Sequence, residues 1–232
     1  MSRTLFIGDV HGCYDELIAL TKKIWLTPDD HLYFAGDLIN KWPQSIEVVE
    51  FVRNRPNTWC VLGNHEYFPL ISYEEVEKIA TESAHLSDGH KSWVYAQYER
   101  SRELREVIEQ RWHREWLTSL PHIIERDDFI LVHAGLHPDH GIDTPLEIAT
   151  LIRLVDGKPW YESYTGTKPV IYGHWAVDGL RIRPNTIGLD TGCCFGGHLT
   201  AYCLRLVSSG KWEPIRYPRC RNTGKTRFLY KL

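Results

Sequence analysis

Thr4-Leu5-Phe6-Ile7-Gly8-Asp9-Val10-His11-Gly12 is the stretch whose reading decides the fold. Leu5, Phe6 and Ile7 make an apolar run of the kind that builds a buried strand. The run stops at a glycine, and a carboxylate and an imidazole follow it at Asp9 and His11. A strand built this way delivers two metal-ligand types at its carboxyl end. Gly8 and Gly12 suit a tight strand-to-helix turn. The spacing of Tyr14, Leu17, Ile18, Thr21 and Ile24 predicts a helix packing back on the sheet. Standing alone, this would be an Asp and a His in an ordinary turn, but the construction recurs.

His31-Leu32-Tyr33-Phe34-Ala35 predicts a second buried strand, ending in Gly36-Asp37-Leu38-Ile39-Asn40-Lys41. Ile46, Val48, Val49, Phe51 and Val52 predict a helix closed by Asn54-Arg55-Pro56. Residues 58–62 predict a third strand, leading into Gly63-Asn64-His65-Glu66. After Pro121 the pattern returns, with 129–132 ending in His133-Ala134-Gly135 and 169–172 ending in Gly173-His174. Residues 145–154 read as a short helix carrying Arg153. Residues 186–189 and 199–206 read as short strands on either side of Asp190-Thr191-Gly192-Cys193-Cys194-Phe195-Gly196-Gly197. Strand, loop and helix in repeated succession predict an α/β architecture with polar groups converging beyond the strand ends.

The middle of the chain has another character. Residues 66–110 hold ten acids and five bases, and Leu104, Ile108, Trp112 and Trp116 fall at spacing four, as on a long helix. Arg102/Glu106 and Arg105/Glu109 would pair on its exposed side. Residues 67–119 are therefore expected to form a small helical cap inserted into a single domain spanning 1–232. Its aromatics Tyr67, Phe68, Trp93 and Tyr95 are expected to be its packing, with Trp93 the one to test for stacking.

Bulk properties exclude several classes. With 232 residues the chain can bury one large core. A formal charge of -3 and a pI near 6.5 argue against non-specific nucleic-acid binding. Residues 211–232 nevertheless carry seven bases against one acid, Glu213. That segment reads as a solvated basic extension, with contact to polyphosphate or RNA as the minority reading. Six scattered cysteines without a CxxC spacing make zinc fingers and disulfide scaffolds poor readings. The absence of an apolar run of about 18 residues leaves no membrane span to expect. The first apolar run is too short for a removable leader, and a reducing cytoplasm fits best.

The strand tips supply Asp9, His11, Asp37, Asn64, His133 and His174, all oxygen or nitrogen donors and none a thiolate. Such a set suits Mn, Fe or Zn. Six ligands exceed what one ion with open positions needs, so two divalent ions bridged by a carboxylate would explain the count, with Asp37 the best bridge. A pair of ions acidifies a water and clamps the attacking and leaving oxygens of a phosphoryl displacement. His65, next to Asn64, could protonate the leaving oxygen. For any single histidine a core or surface role is the default, since the chain has twelve. Five strand tips each ending in a ligand type are not a coincidence to expect.

Gly8-Asp9-Val10-His11-Gly12, Gly36-Asp37, Gly63-Asn64-His65-Glu66, His133-Ala134-Gly135 and Gly173-His174 resemble, in order, the motifs of the calcineurin-like metallophosphoesterases of the phosphoprotein-phosphatase group. The resemblance covers roughly residues 4 to 206. It implies two packed mixed β-sheets flanked by helices. It also implies one metal held by Asp9, His11 and Asp37, and a second by Asp37, Asn64, His133 and His174. Within the group, Gly12-Cys13-Tyr14-Asp15-Glu16-Leu17, Gly173-His174-Trp175-Ala176 and 189–197 look most like symmetrical diadenosine-tetraphosphate hydrolases and ApaH-like phosphatases. Asn40 and Lys41 agree, since protein phosphatases carry Asp and Arg there. Three departures stand out: Trp42 replaces the glycine expected before Pro43, Glu66 replaces the usual Asp, and the cap is short.

The resemblance gives further residues expected roles. Asn40 would orient His65 while stabilising imidazolium less than a carboxylate does. Lys41 would offer a point charge to a phosphate oxygen and Arg153 a forked partner. Trp42 either crowds the substrate or offers it a stacking face. Asp190 and Thr191 support His174 or form an Asx turn, and Cys193 and Cys194 are packing residues. The expected function is symmetrical hydrolysis of dinucleoside polyphosphates, diadenosine tetraphosphate giving two ADP, with nucleoside-capped RNA 5' ends open to the same chemistry. The alternatives are a serine/threonine or broad protein phosphatase, favoured by Glu66 and the short cap, and a non-catalytic binding protein, which the complete ligand set disfavours.

Overall fold

The computed structural model describes residues 2–82, 88–101, 105, 108, 113–206, 212–216 and 220–221. Two five-stranded mixed sheets form its frame. In the first, β1 (Thr4–Ile7) is central, parallel to β2 (His31–Phe34), which is parallel to β3 (Thr58–Cys60). On its other side β1 runs antiparallel to β12 (Ala201–Leu206), which pairs with β13 (Trp212–Arg216). The second sheet has the order β4 (Ile123–Glu125), β5 (Ile130–Val132), β8 (Val170–Tyr172), β10 (Thr186–Gly188), β9 (Arg181–Ile182), with β5, β8 and β10 mutually parallel. Two small ribbons complete the described strands: β6 (Leu154–Val155) with β7 (Lys158–Pro159), and β11 (His198–Leu199) with β14 (Cys220–Arg221).

Side-chain alternation along the strands explains the layers. Phe6, Tyr33, Tyr202 and Leu204 from the first sheet meet Leu131, Ile171 and Ile187 from the second in one inter-sheet core. Their neighbours Leu5, Ile7, Leu32 and Phe34 point the other way. There they pack under α1 (Tyr14–Lys23) and α2 (Ser45–Asn54). A strand with both faces buried needs an apolar residue at every position, which is why the strands read as continuous runs. Val132, Val170 and Tyr172 on the outer face of the second sheet build a third core around Trp160.

The segment 67–119 is helical as far as it is described: α3 (Asn64–Leu70), α4 (Tyr73–Glu82), α5 (Asp88–Arg100) and α6 (His113–Thr118). Tyr67, Phe68, Val76, Ile79 and Val94 form a satellite core, with Tyr95 packed against it. Of the spacing-four stripe, Ile108 and Trp116 belong to the core under the first sheet, while Leu104 and Trp112 lie outside the described residues. The side chain of Trp93, the pair Arg102/Glu106 and the Glu109 of the pair Arg105/Glu109 lie outside them too. No helix among the described residues is long and apolar enough to cross a membrane.

Two local expectations are corrected. The helix expected over 145–154 is only α7 (Leu146–Ala149), so Arg153 lies beyond it, where its carbonyl accepts the Trp160 N–H at 3.0 Å. In the segment expected to be a solvated extension, 212–216 adds an edge strand to the first sheet and 220–221 pairs with 198–199. The unpaired backbone edge of β12 is a template for such pairing, whatever the charge of the added strand. The rest of 207–232 lies outside the described residues.

Candidate metal centre

The parallel strands of both sheets aim their carboxyl ends at one place. Asp9 follows β1, Asp37 follows β2, Asn64 opens α3 after β3, His133 follows β5 and His174 follows β8. Contacts across the sheets hold the tips together. The His174 N–H donates to the Asp9 carboxylate at 3.0 Å, and His133 Nδ1 lies 2.7 Å from the Ala35 carbonyl. All six expected ligands are buried, none more than 7 % exposed.

Backbone strain marks three of these ligands and two residues beside them. Eight non-glycine residues among those described have positive φ, and five of them are His11 (49°), Asp37 (52°), Asn40 (72°), Lys41 (68°) and His174 (63°). A side chain in that region costs roughly 1–2 kcal/mol. The surrounding structure therefore forces these residues to turn inward. Close approach does the same for two glycines. A Cβ at Gly12 would strike the Trp42 carbonyl, and one at Gly63 would strike Asp37.

Two groups of ligand atoms, each within 4.8 Å, share Asp37: His11, Asp37 and His65, and Asp37, His133 and His174. Asn64 Oδ1 joins the second, 2.9 Å from His133 Nε2 and 2.9 Å from His174 Nδ1, while the Asn64 amide nitrogen is buried without a hydrogen-bond partner. Asp9 stands outside both groups but is a hydrogen-bond partner of the Asp37 carboxyl.

The electrostatics fit divalent cations. Burial and the charges of Asp190 and Asp37 raise Asp9 well above the carboxylate range, and burial raises Asp37 to about 7. Crowded buried carboxylates call for positive charge. Burial also pulls His133 down to about 4 and His11 well below the imidazole range, which keeps both rings neutral and able to ligate. His133 and His11 each turn Nδ1 to a backbone carbonyl, Ala35 and Ile39, at 2.7 and 3.1 Å. The proton then sits on Nδ1 and the Nε2 lone pair faces the centre, as metal-binding histidines require.

His65 is arranged differently. The Lys41 N–H donates to Asn40 Oδ1 at 2.7 Å, which leaves the Asn40 amide nitrogen to face His65 Nδ1 at 3.0 Å. An amide nitrogen can only donate, so His65 carries its proton on Nε2. That Nε2 lies 4.0 Å from Asp37. Burial holds His65 well below the usual imidazole range, helped by His11, Lys41, His133 and His174.

The expected substrate-binding residues are spread around this centre. The Lys41 ammonium lies 3.1 Å from His11 Nε2. Exposed Arg153 has its pKa lowered by desolvation, and the carboxylates opposing that are Asp190, Asp37 and Asp9. Half-buried Trp42 donates its indole N–H to the Cys194 carbonyl at 3.0 Å, tying its loop to 192–197. Asp190 accepts the Gly192 N–H at 3.0 Å, which is the Asx turn, and its charge also reaches Asp9.

Two features escaped the sequence reading. Phe195 is 70 % exposed, with Lys41 Nζ 4.7 Å from its ring centre. Glycines at positive φ on each side, Gly192 and Gly196, set the turn that presents it, and those glycines were its only signal. Glu66 is fully buried and accepts the N–H groups of Asp37, Leu38, Ile39 and Gly63 at 2.7–3.2 Å. It clamps the Asp37 loop to the start of α3, and nothing local in the sequence announced that.

Comparison with known proteins adds relatives. The family model for calcineurin-like phosphoesterases matches residues 2–205. A bis(5'-nucleosyl)-tetraphosphatase PrpE described as asymmetrical, from Halalkalibacterium halodurans, is 31% identical over 93% of this chain and 97% of its own. A symmetrical bis(5'-nucleosyl)-tetraphosphatase from an Enterobacter strain is 28% identical over 92% of this chain and 93% of its own. A solved structure described as an inferred diadenosine tetraphosphatase is 28% identical with a TM-score of 0.66, covering 94% of each chain.

Proposed function

This chain belongs to the calcineurin-like phosphoesterase family, and on that premise we propose that it hydrolyses a phosphoanhydride of dinucleoside polyphosphates, cutting diadenosine tetraphosphate symmetrically into two ADP. Asp9, His11 and Asp37 would hold one divalent ion, and Asp37, Asn64, His133 and His174 a second, with Mn the first to try and Fe or Zn also suited to the donors. Such ions, when bound, acidify the attacking water and draw charge from the phosphoryl oxygens. His65, its ring oriented by Asn40, would point Nε2–H at the leaving oxygen and, as the imidazolium, pass it that proton and return to the neutral ring. Lys41 and Arg153 would orient the attacked phosphate.

The observation that carries the dinucleotide reading is Phe195. An exposed ring beside the phosphate-facing Lys41 suits a nucleobase better than a peptide side chain. The protein-phosphatase alternative had leaned on Glu66, and that side chain is spent on four backbone N–H groups, away from any substrate. Asymmetrical cleavage is a second reading, because PrpE relatives so described are 31% identical to this chain. Nucleoside-capped RNA 5' ends offer the same phosphoanhydride.

The test is nucleotide chromatography after incubating the purified chain with Mn and diadenosine tetraphosphate, beside a phosphopeptide. ADP as the only nucleotide product supports the proposal. ATP with AMP moves the cut to the asymmetrical position, and peptide dephosphorylation with the dinucleotide intact overturns the substrate class.

A further inference from the structure

Past His174 the chain builds a feature that the metal centre does not use. Half-buried Trp175 is met by two guanidiniums, with Arg181 at 4.8 Å and Arg153 at 5.9 Å from its ring centre. Arg181 also lies 5.2 Å from the ring centre of Tyr161, and Arg183 lies 5.7 Å from that same ring. Tyr161 stacks in turn on the fully buried Tyr172. Arg181 donates to the Tyr172 hydroxyl at 3.4 Å and to the Trp175 carbonyl at 3.5 Å. The three arginines are thus laid along a wall of rings anchored in the outer core of the second sheet.

Among the described residues, no carboxylate forms an ion pair with any of the three. Arg181 acts unfavourably on Arg153, so the two charges feel each other. The acids that act on Arg153 are Asp190, Asp37 and Asp9, so that end of the wall faces the side of the molecule where the metal centre lies. Like charges held close on rigid faces, with no acid between them, are settled by an anion that spans them. Guanidinium forks fit phosphate oxygens in pairs. A single phosphate held by Lys41 and Arg153 at the metal centre would leave Arg181 and Arg183 without an anionic partner.

We propose that Arg181 and Arg183, carried on Trp175 and Tyr161, form a rail for the phosphates beyond the one attacked, so that the site binds a polyphosphate chain rather than a lone phosphoryl group. The inference rests on the dinucleoside polyphosphate reading and names the part of that substrate the rail holds. Phe195, at the Lys41 side, and the arginine wall, at the Arg153 side, then give the site two chemically different ends.

The test compares the full chain with Arg181→Gln, Arg183→Gln and the double variant, each checked for an unchanged thermal midpoint. Binding of inorganic tripolyphosphate is measured by calorimetry, and kcat/KM is measured for diadenosine tetraphosphate and p-nitrophenyl phosphate. Each substitution is expected to weaken tripolyphosphate binding about tenfold, and to lower the ratio of tetraphosphate to p-nitrophenyl phosphate kcat/KM by about as much. Arg181→Lys, which keeps charge and loses the fork, should fall between. Unchanged tripolyphosphate affinity and an unchanged ratio in the double variant would overturn the rail while leaving the dinucleotide reading standing. Weakened tripolyphosphate binding in a protein that leaves diadenosine tetraphosphate uncut would uphold the rail and overturn that reading instead.

Discussion

The amide nitrogen of Asn40 lies 3.0 Å from Nδ1 of His65, and the Lys41 N–H, bonded to Asn40 Oδ1, prevents the amide from turning over. The neutral ring therefore keeps its proton on Nε2, toward Asp37. Asn40→Asp would reverse this, because a carboxylate accepts and draws the proton to Nδ1. The same carboxylate stabilises the imidazolium, the form that can give up a proton, so the alkaline limb of activity should move to higher pH than in the parent protein. A kcat–pH profile superimposable on the parent's would remove Asn40 from the mechanism.

Asp37 is common to both groups of ligand atoms. Asp37→Asn should reduce bound Mn from two equivalents to well below one, whereas His11→Ala should cost one and leave the Asn64, His133 and His174 seat loaded. Metal analysis after dialysis reads this without any assay of turnover. Equal losses in both variants would argue against a shared carboxylate.

Glu66 satisfies four buried N–H groups with two oxygens, Asp37 and Gly63 on Oε2, Leu38 and Ile39 on Oε1. Glu66→Gln keeps the shape and turns an NH2 group toward one of those pairs. The expected loss of stability is about 3 kcal/mol, seen as a lower urea midpoint at unchanged m-value. A change below about 0.5 kcal/mol would mean that the loop does not depend on this clamp.

Phe195 contributes no core packing, being 70 % exposed. Phe195→Ala should therefore leave the thermal midpoint in place and raise KM for diadenosine tetraphosphate about tenfold, the scale of one base–aromatic stack. KM for p-nitrophenyl phosphate should move far less. A parallel rise for both substrates would assign Phe195 to the position of Lys41 rather than to a base.

Asp30, 1 % exposed, supplies a pH test far from the centre. Burial pushes its carboxyl up, but bonds from Arg3 and Thr27 prevail and hold it well below the usual range. A depressed folded pKa means stability that is present above about pH 4, the unfolded value, and is lost as the pH falls through the folded one. Asp30→Asn should cost about 2 kcal/mol at neutral pH and flatten the acid side of the stability curve. Parallel curves for the two proteins in urea melts from pH 7 down to pH 3 would contradict this.

Much of the frame was readable one residue at a time. Leu5, Phe6 and Ile7 are apolar because both faces of β1 are covered, and a run followed by Gly-Asp announces both the strand and its tip. The helix over 145–154 misled because four residues of periodicity do not distinguish a single turn from a longer helix, and Arg153 falls past its end. The edge strand at 212–216 misled because charge composition describes solvation, while pairing depends on an open backbone edge elsewhere in the chain.

By itself, then, the sequence determined the order of the strands' ligand-bearing tips and the chemical types they carry, since both are local properties of short apolar runs and the turns that end them. Only the tertiary structure decided which of them meet. Asn64 reaches His133 and His174 across 69 and 110 positions, and Trp42 reaches the Cys194 carbonyl across 152. Those distances close because strand register across two packed sheets brings remote turns to one edge. No pattern within a strand specifies that register, and the same packing put Phe195 beside Lys41 and Glu66 under the Asp37 loop.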